Sequence, residues 1–354
     1  MRLTHFAYKT GNWEVDSSLQ LQEVNLLVGK NAVGKSRTIQ AIGKTVSYIL
    51  QQTVPTESET FSSVLLFEDN GKKIFYSFTC IQGKISYEDL IVDKTTYLKR
   101  DDESTLLHDE SINPPANKLT LHVRRDAVQY PYIEKIIQWA EYACGLYFNE
   151  TDIDGDDNTL SYMLGQKKDL YTMVKSMTQD SLSHITSLAC QLGYPLDKIE
   201  TFEADEFKKV TFFEKSINGT LFDHSLSKGM FRTLYLLIYM EYLSQQEHPS
   251  LLLVDDLCEG LDYDRSTRLG KLLFDFCLKH KIQLIACSND AFLMDVVDLK
   301  YWNILQRKGS KVSAINIGNA PELFDNFNFT GLSNFDFFSS DYIKRHTQKK
   351  AGDE

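Results

Sequence analysis

One octapeptide constrains this chain more than any other feature. Gly29-Lys30-Asn31-Ala32-Val33-Gly34-Lys35-Ser36 satisfies G-x-x-x-x-G-K-[ST] at every fixed position. The apolar run Val24–Val28 leads directly into it and Ser36–Ile42 opens a helical pattern, so it reads as a strand-to-helix turn. Glycines there let backbone N–H groups turn inward around phosphates, and the following helix adds the partial positive charge of its N-terminus. Lys35 is expected to reach the β- and γ-phosphates of a nucleoside triphosphate, and the Ser36 hydroxyl to take Mg²⁺. Gly29, Lys30, Asn31, Ala32, Val33, Gly34 and the adjoining Arg37 are expected to contact the nucleotide with them.

The second constraint is Leu251-Leu252-Leu253-Val254-Asp255-Asp256, a buried-type strand that ends in two carboxylates, the Walker B arrangement. The apolar run belongs inside a sheet, and the acids emerge at its C-terminal edge, where α/β sheets bind ligands. Asp255 is expected to hold Mg²⁺ through water, and Asp256 to orient or deprotonate the attacking water.

Around these motifs the chain divides into three stretches. Residues 1–131 read as a nucleotide-binding lobe: strands at Arg2–Tyr8 and Leu19–Gly29, the helix after Gly34, then alternating segments that turn at Asp69-Asn70-Gly71 and Gln82-Gly83 as an antiparallel meander. Leu119–Val123 reads as a further strand. Residues 132–197 read as a helical insert, with apolar helical spacing over Ile133–Ala143 and Leu170–Leu192. The acidic loop Asp152–Asn158 between them lacks the Gly and Glu of a calcium loop and reads as solvated. Residues 198–354 alternate strands and helices, which implies a parallel core sheet.

Three further matches carry a resemblance. Leu226-Ser227-Lys228-Gly229 is similar to the L-S-x-G signature of the ABC-type ATPases and stands just before a helix. Glu259-Gly260-Leu261-Asp262 is similar to their D-loop. Asn31 sits where many of their phosphate loops have Asn. The order of these motifs, meander and helical stretch included, resembles the soluble branch of that family, which contains the SMC, RecF and OLD-like proteins. The resemblance implies an α/β fold, an ABC-ATPase head with a parallel core sheet, an antiparallel meander and a helical lobe. It implies ATP and Mg²⁺ as ligands, and a homodimer in which Ser227 and Gly229 of one head cap the nucleotide on the other's phosphate loop. Ser227 reads equally as an ordinary helix N-cap. By position, Gln129 is the candidate for the glutamine that senses Mg²⁺ and water, and a plain surface loop fits it as well. Asp262 belongs to the nucleotide-binding set through the D-loop.

Two departures point to slow turnover. Asp256 stands where the family has Glu, one methylene longer. Ser288-Asn289-Asp290 stands where relatives have Thr-His-Ser, so Ser288 or Asn289 can hydrogen-bond a γ-phosphate but brings no positive charge.

Charge and hydropathy limit the purpose. With 38 Lys+Arg against 49 Asp+Glu, the net charge of −11 disfavours broad adhesion to nucleic acid or anionic membrane. No apolar run approaches the roughly 20 residues of a membrane span. The N-terminus lacks the pattern of a secretion signal. The six cysteines show neither C-x-x-C nor zinc spacing and read as reduced thiols of a cytoplasmic protein. The expected role is an ATP-driven switch that signals to a separately encoded effector, as in prokaryotic anti-phage systems. A DNA-repair-type head acting on DNA is the alternative, and a transporter subunit a lesser one. The basic residues Lys344, Arg345, Lys349 and Lys350 read as a solvated end.

Overall fold

The computed structural model describes residues 1–147, 169–204, 207–215, 219–222, 225–246, 251–328, 330–340 and 342–343. The acidic loop at 152–158 and the basic residues at 344–350 lie outside them.

The chain opens with β1 (Arg2–Thr10), β2 (Trp13–Val15) and β3 (Val24–Val28), enters α1 (Lys35–Ile49), and continues through β4 (Phe61–Asp69), β5 (Lys72–Ile81), β6 (Lys84–Val92), β7 (Thr95–Arg100), β8 (Thr105–Leu107) and β9 (Glu110–Ser111). α2 (Pro131–Glu141) leads into β10 (Ala143–Leu146). α3 (Leu170–Ser176) and α4 (Gln179–Gln191) precede β11 (Leu196–Ala204), β12 (Phe207–Glu214) and β13 (Leu221–Phe222). Then come α5 (Lys228–Ser244), β14 (Leu251–Val254), α6 (Tyr263–His280), β15 (Gln283–Cys287), α7 (Ala291–Val296), β16 (Trp302–Lys308), β17 (Lys311–Asn316), α8 (Pro321–Asn328) and α9 (Asn334–Ser339).

Among the described residues, one sheet runs β10-β14-β15-β3-β16-β17-β2-β1-β4-β5-β6-β7-β8-β9, and a second runs β11-β12-β13. Its first five strands are parallel, and the meander from β4 onward is antiparallel. The parallel strands are buried on both faces, which is why they read as unbroken apolar runs. Leu27, Leu251, Leu253, Ile285 and Cys287 pack under α1 and α2. Leu26, Leu252, Val254, Leu284 and Ala286 pack on the other face with α3 to α6.

The described residues of the stretch 132–197 are divided between the two cores. α2 packs on α1 and the meander, where Trp139 meets Phe67 and Lys135 pairs with Asp69, and β10 is the edge strand of the main sheet. α3 and α4 belong to the opposite core, beside α5. The four apolar residues Ala143 to Leu146 prolong a helical pattern as well as they form a strand, so β10 does not stand out from α2 in the sequence.

Leu119–Val123 is not a strand either. Thr120–His122 forms a short 3₁₀ turn. The Thr120 N–H donates to the buried Glu88 carboxylate at 2.7 Å, and His122 Nε2 lies 2.9 Å from the carbonyl of Ile49, the last residue of α1. The segment closes the end of α1 instead of joining a ladder.

Candidate functional site

The phosphate loop is shaped by contacts that exclude side chains. A Cβ on Gly29 would meet Val33 Cγ1 at 2.7 Å and the Leu305 carbonyl at 3.0 Å. Gly34 has φ 110°, and a Cβ there would approach Val312 and the Trp13 Nε1 within 3.3 and 3.4 Å, so both position and backbone require glycine. Ala32 is also left-handed, at φ 62°. Lys35 is buried, and its Nζ donates to the carbonyls of Gly29 at 2.8 Å and Lys30 at 3.4 Å. Burial lowers its pKa, against the raising influence of Cys287, Asp256 and Asp255. The lysine is therefore held over the loop, beside the acidic strand end. Lys30, Asn31 and Ala32 are exposed, Val33 is buried and Ser36 is half-buried in the first turn of α1. Arg37 turns aside: its guanidinium lies 4.6 Å over the Trp13 ring and donates to Asn12 Oδ1 at 3.2 Å.

The acids arrive on β14. The Asp255 N–H donates to Leu146 O at 2.9 Å, which continues the β10–β14 ladder past the strand end. Its Oδ1 accepts from the Cys287 thiol at 2.7 Å. Asp256 is half-buried in a left-handed turn at φ 50°. Burial, then the charges of Asp255 and Glu259, push its carboxyl up to about 6, against Lys35 and Arg232. Cys258 and Gly260 are left-handed as well, at φ 68° and 77°. Three such residues within five give the D-loop a tightly determined path.

The signature residues lie against that D-loop. Ser227 is the exposed N-cap of α5, its Oγ accepting from the Met230 N–H at 3.3 Å. A Cβ on Gly229 would meet Leu261 Cδ2 at 3.0 Å and Gly260 O at 3.4 Å. Arg232 donates to the Glu259 carbonyl at 3.2 Å and carboxylate at 2.9 Å. Asp262 is the N-cap of α6, accepting from the Arg265 N–H at 3.0 Å and paired with its guanidinium at 2.7 Å. Those N–H groups hold its carboxyl below the usual range. Among the described residues, no hydrogen bond or ion pair joins Ser227, Gly229 or Asp262 to the phosphate loop.

Two expected site residues are engaged in other contacts. The Ser288 hydroxyl is buried and donates to Leu257 O at 2.7 Å, so it ties the end of β15 to the D-loop; the exposed Asn289 is the polar side chain left at that edge. Among the described residues, no hydrogen bond or ion pair joins Gln129 to the loop. Its N–H donates to Asp126 Oδ1 at 2.8 Å, and the chain then packs on the meander through Tyr130 against His108 and Tyr132 against Tyr97. The same connection begins at His122, beside the C-terminal end of α1, about 20 Å along that helix from Lys35. Polarity and chain order suggested Gln129, but the segment that runs beside Asp255 is the end of β10. There Tyr147 is buried, its hydroxyl 3.4 Å from Ile39 O. Sequence reading missed two residues that build the site, Cys287 and Arg232, and gave Glu259 only as part of the D-loop match. Cys287 stands in sequence only as the last residue of an apolar strand; the pairing of β15 with β14 sets it beside the acids.

Over residues 24–295 the sequence matches the family model described as "AAA domain, putative AbiEii toxin, Type IV TA system". The solved structure "Crystal structure of the SmcHead bound to the C-winged helix domain of ScpA" superposes with a TM-score of 0.55 at 10% identity, covering 91% of this chain and 100% of that chain. It shares the fold. "SMC head domain from Thermotoga maritima" superposes at 0.47 and 14% identity, covering 89% and 99%. None of the curated proteins compared matches.

Proposed function

Because the chain belongs to the AAA-domain family of AbiEii type, and is an ATP-binding ATPase with the fold of an SMC head, we propose that it is a slow ATP-driven switch. Two copies close head to tail around two ATP–Mg²⁺, and the closed pair signals to a separately encoded effector in phage defence. The observation that carries this reading is a site in halves. Lys35, Asp255 and Asp256 converge at the phosphate loop, while the exposed Ser227 at the start of α5 makes no described contact with it. A second copy would supply the missing half. The toxin–antitoxin wording of the family description supports the defence setting.

The roles follow from the chemistry of each group. Lys35 leaves the loop carbonyls for the β- and γ-phosphates, and the loop N–H groups surround them. The hard oxygens of Ser36 and Asp255 suit Mg²⁺, which when bound neutralises charge on the β- and γ-phosphates. Asp256 orients the attacking water and accepts its proton; its short side chain is the reason to expect slow turnover. Ser227 Oγ and the N–H groups at the start of α5 face the γ-phosphate of the other copy. Asn289, exposed at the edge of β15 beside the strand that feeds the loop, would hydrogen-bond the γ-phosphate on its own copy's loop, and Ser288 would transmit its position to the D-loop. Cytoplasmic location fits this role, and no described helix is long and apolar enough to cross a membrane.

The test is sizing in solution with ATP–Mg²⁺, with and without duplex DNA. An ATP-induced dimer that DNA does not shift is expected. A monomer that ignores ATP contradicts the switch, and DNA-stimulated hydrolysis redirects the reading to a DNA-repair-type head.

A further inference from the structure

A thiol lies beside the Walker B acids. The parallel register pairs Val254 with Ala286, so the next residues, Asp255 and Cys287, emerge side by side. Cys287 Sγ donates to Asp255 Oδ1 at 2.7 Å and accepts the Asp256 N–H at 3.5 Å. One ligand atom from each of Asp255, Asp256 and Cys287 lies within 4.8 Å of the others, and no other group of three His, Cys, Asp or Glu comes together in this way among the described residues. No ion pair reaches either carboxylate among the described residues, and the nearby Lys35 is turned to the carbonyls of Gly29 and Lys30.

We propose that Asp255, Asp256 and Cys287 form a site for a thiophilic divalent cation, of the Zn²⁺ and Cd²⁺ class, which displaces Mg²⁺ and holds the head inactive. The inactivation rests on the ATPase reading above; the binding does not. Around tetrahedral Zn²⁺, with Zn–S about 2.3 Å and Zn–O about 2.0 Å, a sulfur and an oxygen ligand sit about 3.5 Å apart. The 2.7 Å contact between Cys287 and Asp255 therefore opens by less than about 1 Å, as the metal replaces the thiol proton. That proton leaves to solvent, and no electrons move. Asp256 supplies the third ligand, and water or a phosphate oxygen the fourth. Mg²⁺ takes oxygen ligands in octahedral geometry and gains nothing from the thiolate, whereas Zn²⁺ and Cd²⁺ do. Cys287 thus makes the site selective against the cation that the nucleotide needs.

The experiment titrates Cd²⁺ into nucleotide-free, Mg²⁺-free protein and follows the thiolate-to-Cd²⁺ ultraviolet absorption. Wild type is expected to develop the band and saturate at one equivalent, with Zn²⁺ abolishing it by competition. Cys287→Ser and Cys287→Ala lose the band. Cys190→Ser, which removes the half-buried thiol outside this group, keeps it. Asp255→Asn keeps a thiol but weakens binding at least about tenfold. Circular dichroism checks the fold of each variant, and the wild-type and Cys190→Ser titrations stand even if a Cys287 variant does not fold. Absence of the band in wild type, its persistence in Cys287→Ser, or an unchanged affinity in Asp255→Asn overturns the proposal. Zn²⁺ inhibition of ATP hydrolysis, taken against each variant's own Zn²⁺-free rate, is expected to need at least about tenfold more Zn²⁺ in Cys287→Ser. Protein that binds Cd²⁺ through Cys287 yet never hydrolyses ATP would refute the ATPase reading and leave the metal site standing.

Discussion

Replacing Asp256 by Asn should stabilise the nucleotide-free, metal-free chain, and only above mildly acidic pH. Asp256 is half-buried beside Asp255 and Glu259, with Lys35 and Arg232 as the opposing cations, and its carboxyl is pushed from 3.8 up to about 6. Between those values the folded chain binds more protons than the unfolded chain, so wild-type stability falls as pH rises through the window. A displacement from 3.8 to about 6 sets a ceiling of about 3 kcal/mol. Solvent screening of a partly exposed carboxylate reduces this to about 1 kcal/mol, or about 1–2 °C in melting temperature for a chain of this size. Asn cannot ionise. The difference between variant and wild type should be near zero at about pH 4, grow through the window and level off above about pH 6.5. Thermal melts in EDTA across that range read it directly, and any pH-independent effect of the substitution drops out of the slope. A gain that does not change with pH, or a loss that deepens as pH rises, refutes the account of Asp256 as a carboxylate held against its neighbours' charge.

Lys35→Ala should weaken ATP binding at least about tenfold, from the loss of charge-assisted bonds to phosphate of about 1.5–3 kcal/mol; calorimetric titration measures it. Gly34→Val forces a β-branched residue to φ 110° against Trp13 and Val312, and should cost at least about 1–3 kcal/mol in thermal or denaturant unfolding. Arg232→Ala removes both ties from α5 to Glu259; proteolysis or hydrogen exchange should report faster opening of the D-loop, and turnover should fall even where ATP binding is kept. Wild-type hydrolysis should stay below about 1 s⁻¹, under the usual enzyme range; steady-state phosphate release rates decide it.

The phosphate loop and the Walker B strand were legible because their chemistry demands particular residues at particular spacings. Gly34 cannot be anything else at φ 110°, and Leu251–Val254 must be apolar to be covered on both faces. The meander was legible from its turns, and α5 from the Ser227 cap. What failed had no local signature. Ala143–Leu146 is a strand because β14 lies beside it, a partner more than a hundred residues away in sequence. Thr120–His122 turns because Glu88 takes its N–H. Chain order points to Gln129, whereas proximity to Asp255 is decided by the order of strands in the sheet. Ser288 has the right chemistry for a phosphate, yet its hydroxyl is committed to Leu257 O. Cys287 reads in sequence as one more buried thiol; only the pairing of β14 with β15 makes it a neighbour of the acids.

The composite site is the central claim, and complementation tests it most directly. Lys35→Ala should lose nucleotide binding, and Ser227→Arg should keep it but lose dimerisation, so neither alone should hydrolyse ATP. In a head-to-tail pair of the two variants, one site unites an intact phosphate loop with an intact signature. Turnover should therefore reappear when the two folded proteins are mixed with ATP–Mg²⁺, together with a dimer absent from either alone. A mixture that stays monomeric and inactive, at concentrations where wild type dimerises and turns over, contradicts it.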